Sequence, residues 1–193
     1  MLTIPNLLTF IRIVLIPVLF LVYWLPFPWA KPATAAIFAL AAITDWFDGY
    51  LARRLNQYSH FGEFLDPVAD KLMVASSLIL ILTNRTWPWP IFWLATPAII
   101  IIGREIVISA LREWMAEIGK RAAVAVSMVG KVKTTFQMFA IGFLLYQHPF
   151  FGIRIDMLGF LLLQIAAFLT LFSMVLYLKA AWPYITQPPP SLD

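Results

Sequence analysis

The sequence contains no cysteine, which excludes disulfide bonds and metal sites built on thiolates. Charged residues are also scarce: they make up 12% of the 193 residues, whereas 62% are hydrophobic and the mean hydropathy is +0.84. A soluble domain of this length would be much less apolar, so the composition indicates a chain that uses lipid as its solvent. The net charge of +4 is small and gives no indication of a nucleic-acid partner.

The N-terminal stretch lacks a basic segment before its apolar run, and no clear small-residue cleavage site follows that run. It is also poor in the Arg and Ser residues that are typical of mitochondrial transit peptides. We therefore expect this stretch to be a retained membrane span and not a cleaved signal peptide.

The apolar runs predict six helices, each close to the roughly 20 residues that a membrane span requires. They are expected at Leu7–Leu25, Ala33–Arg54, Glu63–Thr83, Pro88–Glu113, Ala122–Gln147 and Met157–Leu178. The predicted fold class is all-α integral membrane, a six-transmembrane-helix bundle. It forms a single domain over residues 1–182, followed by a short Pro-rich C-terminal tail at 183–193.

Charged residues interrupt the predicted helices at one end of the bundle only. Of the 14 Lys and Arg residues, all but Lys31, Arg85 and Arg154 fall at that end. The positive-inside rule makes this end cytoplasmic, with both termini on the same side. The bundle is therefore predicted to have a polar cavity that faces the cytoplasm.

Four aspartates lie in the stretch "DWFDGYLARRLNQYSHFGEFLDPVAD". Asp45 and Asp48 are three residues apart and Asp66 and Asp70 are four apart, so each pair lies on one helix face. If the second and third helices are antiparallel neighbours, the two pairs face each other. Four hard oxygen donors without His or Cys suit Mg²⁺ or Mn²⁺, and carboxylates this close together require cations between them.

Small residues accompany the first aspartate pair. Gly49 and Ala52 lie on or near the same helix face, where short side chains let a ligand approach the backbone closely. Arg53 follows one turn after Gly49, and a guanidinium beside carboxylate-bound metal suits a phosphate group. Gly62 precedes the second aspartate pair by one turn.

Each of these residues taken alone has a simpler explanation. Asp66, which is followed by proline, could be a helix N-cap. Arg53 and Arg54 could be ordinary positive flanks of a span. Asp45 and Asp48 could lie at a solvated helix end. None of these explanations accounts for the spacing of all these residues together.

That joint spacing, D-x2-D-G-x2-A-R-x8-G-x3-D-x3-D, resembles the motif of the CDP-alcohol phosphotransferases. The resemblance implies an integral membrane enzyme with six transmembrane helices, a cytoplasm-facing polar cavity and two divalent metal ions, often assembled as a homodimer. Such an enzyme moves a phosphatidyl or related group from a CDP-linked donor to an alcohol and releases CMP. The eight fixed positions are Asp45, Asp48, Gly49, Ala52, Arg53, Gly62, Asp66 and Asp70.

The resemblance also implies roles for these residues. Asp45, Asp48 and Asp66 are metal ligands, and Asp70 is the general base and a further metal contact. The residues expected near the CDP moiety are Gly49, Ala52, Arg53 and Gly62. The opening "IPNLLTFIR" is similar to a family opening and is expected to place three more residues near the donor, namely Asn6, Thr9 and Arg12.

A second polar cluster bears on the acceptor. Arg104 and Arg112 are eight residues apart, about 80° around a helix, so they can share a broad face. Basic groups at this depth suit an anionic acceptor. We expect Arg104, Arg112, Lys131 and Lys133 to bind the acceptor phosphate, with Glu105 pairing with one of these bases. Positive-inside charge is the simpler alternative for these bases.

Several segments, including "REIVISALREWMAEIGK" and "GKVKTTFQM", resemble one bacterial branch of the family over about residues 4–180. This resemblance implies CDP-diacylglycerol as donor and sn-glycerol 3-phosphate as acceptor, with phosphatidylglycerophosphate and CMP as products. It also implies location in the bacterial cytoplasmic (inner) membrane. Phosphatidylglycerol or inositol phosphate as acceptor would leave the metal site unchanged. A small cation transporter would explain the carboxylates, but it would need polar groups across the whole span.

Overall fold

The computed structural model describes residues 4–55, 60–120 and 128–186. Over these ranges the chain is all-helical, and its one piece of β structure is an isolated bridge between Phe150 and Ile153. Six helices follow one another along the chain: α1 (Ile4–Tyr23), α2 (Ala30–Leu55), α3 (His60–Thr83), α4 (Phe92–Glu117), α5 (Met128–Tyr146) and α6 (Ile155–Ile185).

Two of these helices are long and apolar enough to cross a membrane by themselves. They are α4 and α6, whose most apolar segments have mean hydropathies of 1.8 and 2.2. Large apolar side chains are also strongly exposed on other helices, for example Leu21 on α1, which is 71% exposed. A water-soluble surface rarely exposes this much contiguous apolar area, so the helices indicate association with a membrane.

Some predicted helix boundaries are wrong: α4, for example, runs from Phe92 to Glu117 and not from Pro88 to Glu113. The predicted start of α5 at Ala122 lies outside the described ranges, and the described part of α5 begins at Met128. The prediction ended α6 at Leu178, but the helix continues to Ile185. Ala181 is fully buried in a cluster with Met115 and Ile108 of α4, so packing against α4 accounts for the additional two turns.

The start of α3 decides between two explanations of Asp66. The helix begins at His60, so Asp66 and Pro67 lie well inside it and Asp66 is not its N-cap. A proline inside a helix is tolerated in a membrane bundle when neighbouring elements satisfy the freed backbone groups. Asp66 is therefore held on a helix that starts earlier than the proline signal indicated.

Packing between helices is uneven. α5 packs most extensively on α6, α4 also packs on α6, and α1 packs against both α2 and α3. Among the described residues, α2 and α3 make few direct contacts. In this part of the chain, the acidic segments of the two helices are positioned largely through α1.

The central core lies where these helices meet. It includes the fully buried Leu19 of α1, Phe38 of α2, Ile101 of α4 and Leu144 of α5. Gly159 brings α6 onto α5: a Cβ at this position would lie 2.9 Å from Phe143 Cβ and 3.1 Å from the Ala140 carbonyl oxygen. The absence of a side chain there permits the close approach of the two helices.

We expect Gly159→Ala to destabilise the bundle by about 1–3 kcal/mol, because the added methyl group forces α5 and α6 apart. Thermal unfolding of the purified protein in detergent measures the effect. Gly142→Ala is the matched control, since a Cβ there would meet nothing within 4 Å. Equal unfolding temperatures for the two variants would contradict the close packing at Gly159.

Candidate active site

Arg12 connects the two acidic segments. Its side chain is almost fully buried, at 1% exposure, and its Nη1 lies 3.0 Å from Asp45 Oδ1 of α2. The same Nη1 forms an ion pair with Asp70 of α3. A guanidinium has several donors in a fixed plane, so one arginine can bind two carboxylates from different helices. Arg12 therefore fixes α1, α2 and α3 relative to one another at this point.

Thr9 makes a similar contact one turn earlier on α1. Its hydroxyl, which is fully buried, donates a hydrogen bond to Asp66. Thr9 and Arg12 are three residues apart and so lie on one face of the helix. One face of α1 thus contacts both Asp66 and Asp70.

The carboxylates of Asp45, Asp66 and Asp70 line one cavity of about 380 Å³, which we call the polar cavity. The side chains of Asp45 and Asp70 are 46% and 42% exposed, so they remain accessible from it despite their contacts with Arg12. Gly62 is buried on α3, one turn before Asp66.

Other predicted residues of the site cannot be placed in the polar cavity. Asp48, Gly49, Ala52 and Arg53 fall within α2, but their side chains lie outside the described part of the structure. The same holds for the side chain of Asn6 in α1.

The acidic residues fit a divalent metal by their chemistry. Carboxylate oxygens are the ligands that Mg²⁺ and Mn²⁺ prefer. Two of the three described aspartates, Asp45 and Asp70, already share a cation, the guanidinium of Arg12. Among the described side chains no group of three or more His, Cys, Asp or Glu residues is close enough to form a complete metal site. The predicted set has a fourth member, Asp48, outside that description.

Arg104 and Arg112 of α4 line the same polar cavity. Both guanidinium groups lie over the ring of Tyr177 from α6, at 5.4 and 5.1 Å from its centroid. Arg112 also donates a hydrogen bond of 3.1 Å to the Tyr177 hydroxyl. The two arginines share one side of α4, as their spacing predicted, and α6 supplies the aromatic ring that holds them.

Glu105 neutralises part of this positive charge. It accepts hydrogen bonds from Lys133 at 2.6 Å and from Arg104 at 3.1 Å. The expectation that Glu105 pairs with one of the nearby bases is confirmed. Arg112 differs from Arg104 because its described partner, Tyr177, is an uncharged hydroxyl, so its positive charge remains available to an anion in the cavity.

The two lysines predicted for the acceptor site have different environments. Lys133 is 2% exposed and lies against Glu105, whereas Lys131 is exposed. Neither lysine lines the polar cavity. Lys133 can influence the charge of the cavity through its ion pair with Glu105, which lines it. Lys131 has no such described contact.

Three residues of the site were not found from the sequence. Tyr177 and Ser173, one turn apart on α6, contact the arginines, and the Ser173 hydroxyl lies 3.4 Å from Arg104 Nη2. Gln137 of α5 lines the polar cavity while only 3% exposed. The available signal was their polarity within otherwise apolar spans, which favours a position facing the bundle interior.

Comparisons with known proteins show the family to which the chain belongs. Residues 2–182 match the model of the family described as CDP-alcohol phosphatidyltransferase. A protein of Salmonella choleraesuis named CDP-diacylglycerol–glycerol-3-phosphate 3-phosphatidyltransferase is 55% identical over 178 residues, covering 92% of this chain and 94% of the relative. A protein of Yersinia enterocolitica with the same name is 52% identical over 187 residues, covering 97% and 99% of the two chains.

A Shigella flexneri relative, again with that name, is 54% identical over 178 residues. The similarity includes the segments that form the polar cavity and extends over nearly the whole of both chains. This chain is therefore an enzyme that belongs to the CDP-alcohol phosphatidyltransferase family.

Proposed function

We propose that the polar cavity transfers the phosphatidyl group of CDP-diacylglycerol to sn-glycerol 3-phosphate, giving phosphatidylglycerophosphate and CMP. The observation that carries the proposal is the lining of one cavity by carboxylates on α2 and α3 and by arginines on α4. The acidic wall suits metal-assisted departure of a nucleotide, and the basic wall suits a phosphorylated acceptor. The names of the relatives support the same pair of substrates.

The acidic wall would hold the metal ions. The family generally uses divalent metals, and Asp45, Asp48, Asp66 and Asp70 would hold two of them, Mg²⁺ or Mn²⁺. When bound, such ions neutralise the donor pyrophosphate and the charge that develops on the departing CMP. Arg12, which lies against Asp45 and Asp70, would keep these carboxylates oriented towards the cavity.

Asp70 would act as the general base. A hydroxyl oxygen of the acceptor forms a bond to the phosphorus of the phosphatidyl group, and the bond between that phosphorus and CMP breaks. The hydroxyl proton passes to a carboxylate oxygen of Asp70, which lines the cavity. The ion pair with Arg12 holds Asp70 in one orientation for this transfer.

The nucleotide would bind along the motif helices. Gly49 and Ala52 allow the CDP moiety close to the α2 backbone, and Arg53 would bind one of its phosphates. Gly62 on α3 and the α1 residues Asn6 and Thr9 would complete this part of the site. Thr9 contributes by its hydrogen bond to Asp66.

The acceptor phosphate would bind to Arg112 and Arg104, which line the cavity. Lys133 would contribute to phosphate binding indirectly, through its ion pair with Glu105. Lys131 would contribute least to phosphate binding because it is exposed. Inositol phosphate is a phosphomonoester like glycerol 3-phosphate, and phosphatidylglycerol is an anionic phosphodiester, so these acceptors are the alternatives to test. A cation transporter does not fit membership of an enzyme family.

The proposed arrangement in the membrane has all six helices spanning the bacterial cytoplasmic (inner) membrane. The polar cavity would face the cytoplasm, with both termini on that side, in accordance with the positive-inside rule. Support comes from the apolar α4 and α6 and from the placement of the cavity towards the charged end of the bundle. The active unit is proposed to be a homodimer, as the family resemblance implies.

Release of CMP from CDP-diacylglycerol in the presence of Mg²⁺ tests the proposed function directly. Glycerol 3-phosphate, inositol phosphate, serine and phosphatidylglycerol are offered separately to the purified protein. We expect release only with glycerol 3-phosphate, and its loss in Asp70→Asn. Turnover with another acceptor would refute the assignment of the acceptor, and no metal-dependent release with any acceptor from folded protein would refute the transferase reaction.

Arg12→Gln is expected to lower kcat about 100-fold, because Asp45 and Asp70 lose the group that fixes their positions. Steady-state CMP release measures the effect, and thermal unfolding verifies that the variant is folded. Arg154→Gln is the control, since Arg154 pairs with Asp156 away from the cavity. A folded Arg12→Gln protein with kcat within threefold of wild type would contradict the role of this bridge.

Arg112→Gln is expected to raise KM for glycerol 3-phosphate about 10- to 100-fold, the loss typical of a charge-assisted hydrogen bond. KM for CDP-diacylglycerol should change little, because Arg112 lies on the basic wall. Lys131→Gln removes one positive charge at an exposed position and should change KM less than about threefold. Equal effects of the two substitutions would show that general positive charge, and not the basic wall, attracts the acceptor.

A further inference from the structure

A second cavity lies at the opposite end of the bundle, where α1, α3 and α5 end and α2, α4 and α6 begin. Its volume is about 960 Å³. It is lined by Tyr23 of α1, Lys31 of α2, the end of α3 and several residues of the segment between α3 and α4. We call it the loop-end cavity.

The charge of the loop-end cavity is positive. Lys31 and Arg85 line it, and its lining residues include no Asp or Glu. The third basic residue at this end of the bundle, Arg154, differs because its Nη2 lies 2.7 Å from Asp156 Oδ2. Lys31 and Arg85 therefore bring two positive charges to one cavity whose described lining includes no carboxylate.

Hydrogen bonds between neighbouring segments hold the wall of this cavity. Lys31 Nζ donates to the Tyr23 carbonyl oxygen at 3.1 Å and lies 3.0 Å from the centroid of the Tyr23 ring. The Tyr23 hydroxyl accepts from Gln147 Nε2 at 3.1 Å, and Gln147 Oε1 accepts from Asn84 at 3.1 Å. This network joins the ends of α1, α3 and α5, so Lys31 is positioned before any ligand binds. An ammonium has three donors, and the described contact with Tyr23 uses one.

Aromatic side chains surround the positive charges. Trp24, Trp87 and Trp89 line the cavity, and the rings of Trp87 and Trp89 stack at 5.8 Å. Trp24 is 61% exposed. Tryptophan in such a position is typical of the interface between lipid and water, where its ring contacts the lipid and its N–H remains near polar groups.

We propose that the loop-end cavity binds the phosphate of an anionic phospholipid head group, with Lys31 and Arg85 as its cationic partners. Lys and Arg side chains near a membrane surface attract anionic head groups, because the lipid phosphate supplies a negative charge to pair with them. The tryptophan rings would contact the glycerol and upper acyl region of the same lipid. A free phosphate ion would leave this aromatic surface without a partner, which favours a lipid. The site is separate from the polar cavity and does not depend on the identity of the acceptor.

Binding of phosphatidylglycerol to the purified full-length chain in detergent tests this proposal. Wild type is compared with Lys31→Gln, Arg85→Gln and the matched control Arg154→Gln, which removes one positive charge at the same end of the bundle. We expect each of the first two substitutions to weaken binding roughly fivefold, in accordance with the usual contribution of one basic residue near anionic lipid. Arg154→Gln should leave the affinity unchanged.

Two further binding measurements identify the ligand. Zwitterionic phosphatidylcholine should bind more weakly than phosphatidylglycerol to wild type and equally to all four proteins, and excess inorganic phosphate at constant ionic strength should not displace phosphatidylglycerol. CMP release should stay within about twofold of wild type in every variant, since the polar cavity is unchanged. Equal affinity in all four proteins, equal losses in all three variants, or displacement by inorganic phosphate would overturn the proposal.

Discussion

The contact of Arg12 with Asp45 and Asp70 is the interaction on which the proposed site depends. Within the described ranges α2 and α3 make few direct contacts. Their acidic residues converge because α1 lies against both helices and carries a cation that binds both. A buried guanidinium without carboxylates would be costly, and the carboxylates would repel one another without it. Burial of Arg12 at 1% exposure shows that the helices close around its guanidinium, while the two carboxylates stay open to the cavity.

The same balance of charge recurs on the opposite wall of the polar cavity. Glu105 lies between Arg104 and Lys133, and Tyr177 holds Arg112 through a neutral hydroxyl. The basic wall thus retains net positive charge, whereas the acidic wall retains net negative charge. A cavity with separated walls of opposite charge can bind a metal-dependent nucleotide donor and a phosphorylated acceptor side by side, which is what transfer between them requires.

Much of the fold followed from the sequence, because lipid as solvent leaves few choices. Backbone groups in an apolar phase must be satisfied within each helix, so six apolar runs predict six helices, and the structure describes six. The errors lie at the boundaries. Packing of Ala181 against Met115 extends α6 past Leu178, and α3 begins before the residues that resembled an N-cap. A contact distant in the chain extends α6, so local signals could not predict its end.

The sequence by itself determined the family and the residue types of the site, since the spacing of Asp45, Gly62, Asp66 and Asp70 is a local property of two helices. It also indicated that Arg104 and Arg112 share a helix face. Only the tertiary structure decided which groups meet them: Arg12 between the aspartates, Tyr177 beneath the arginines, and Lys133, not Lys131, against Glu105. Helical periodicity fixes which side chains share a face, but the rotation and depth of each helix depend on packing against its neighbours.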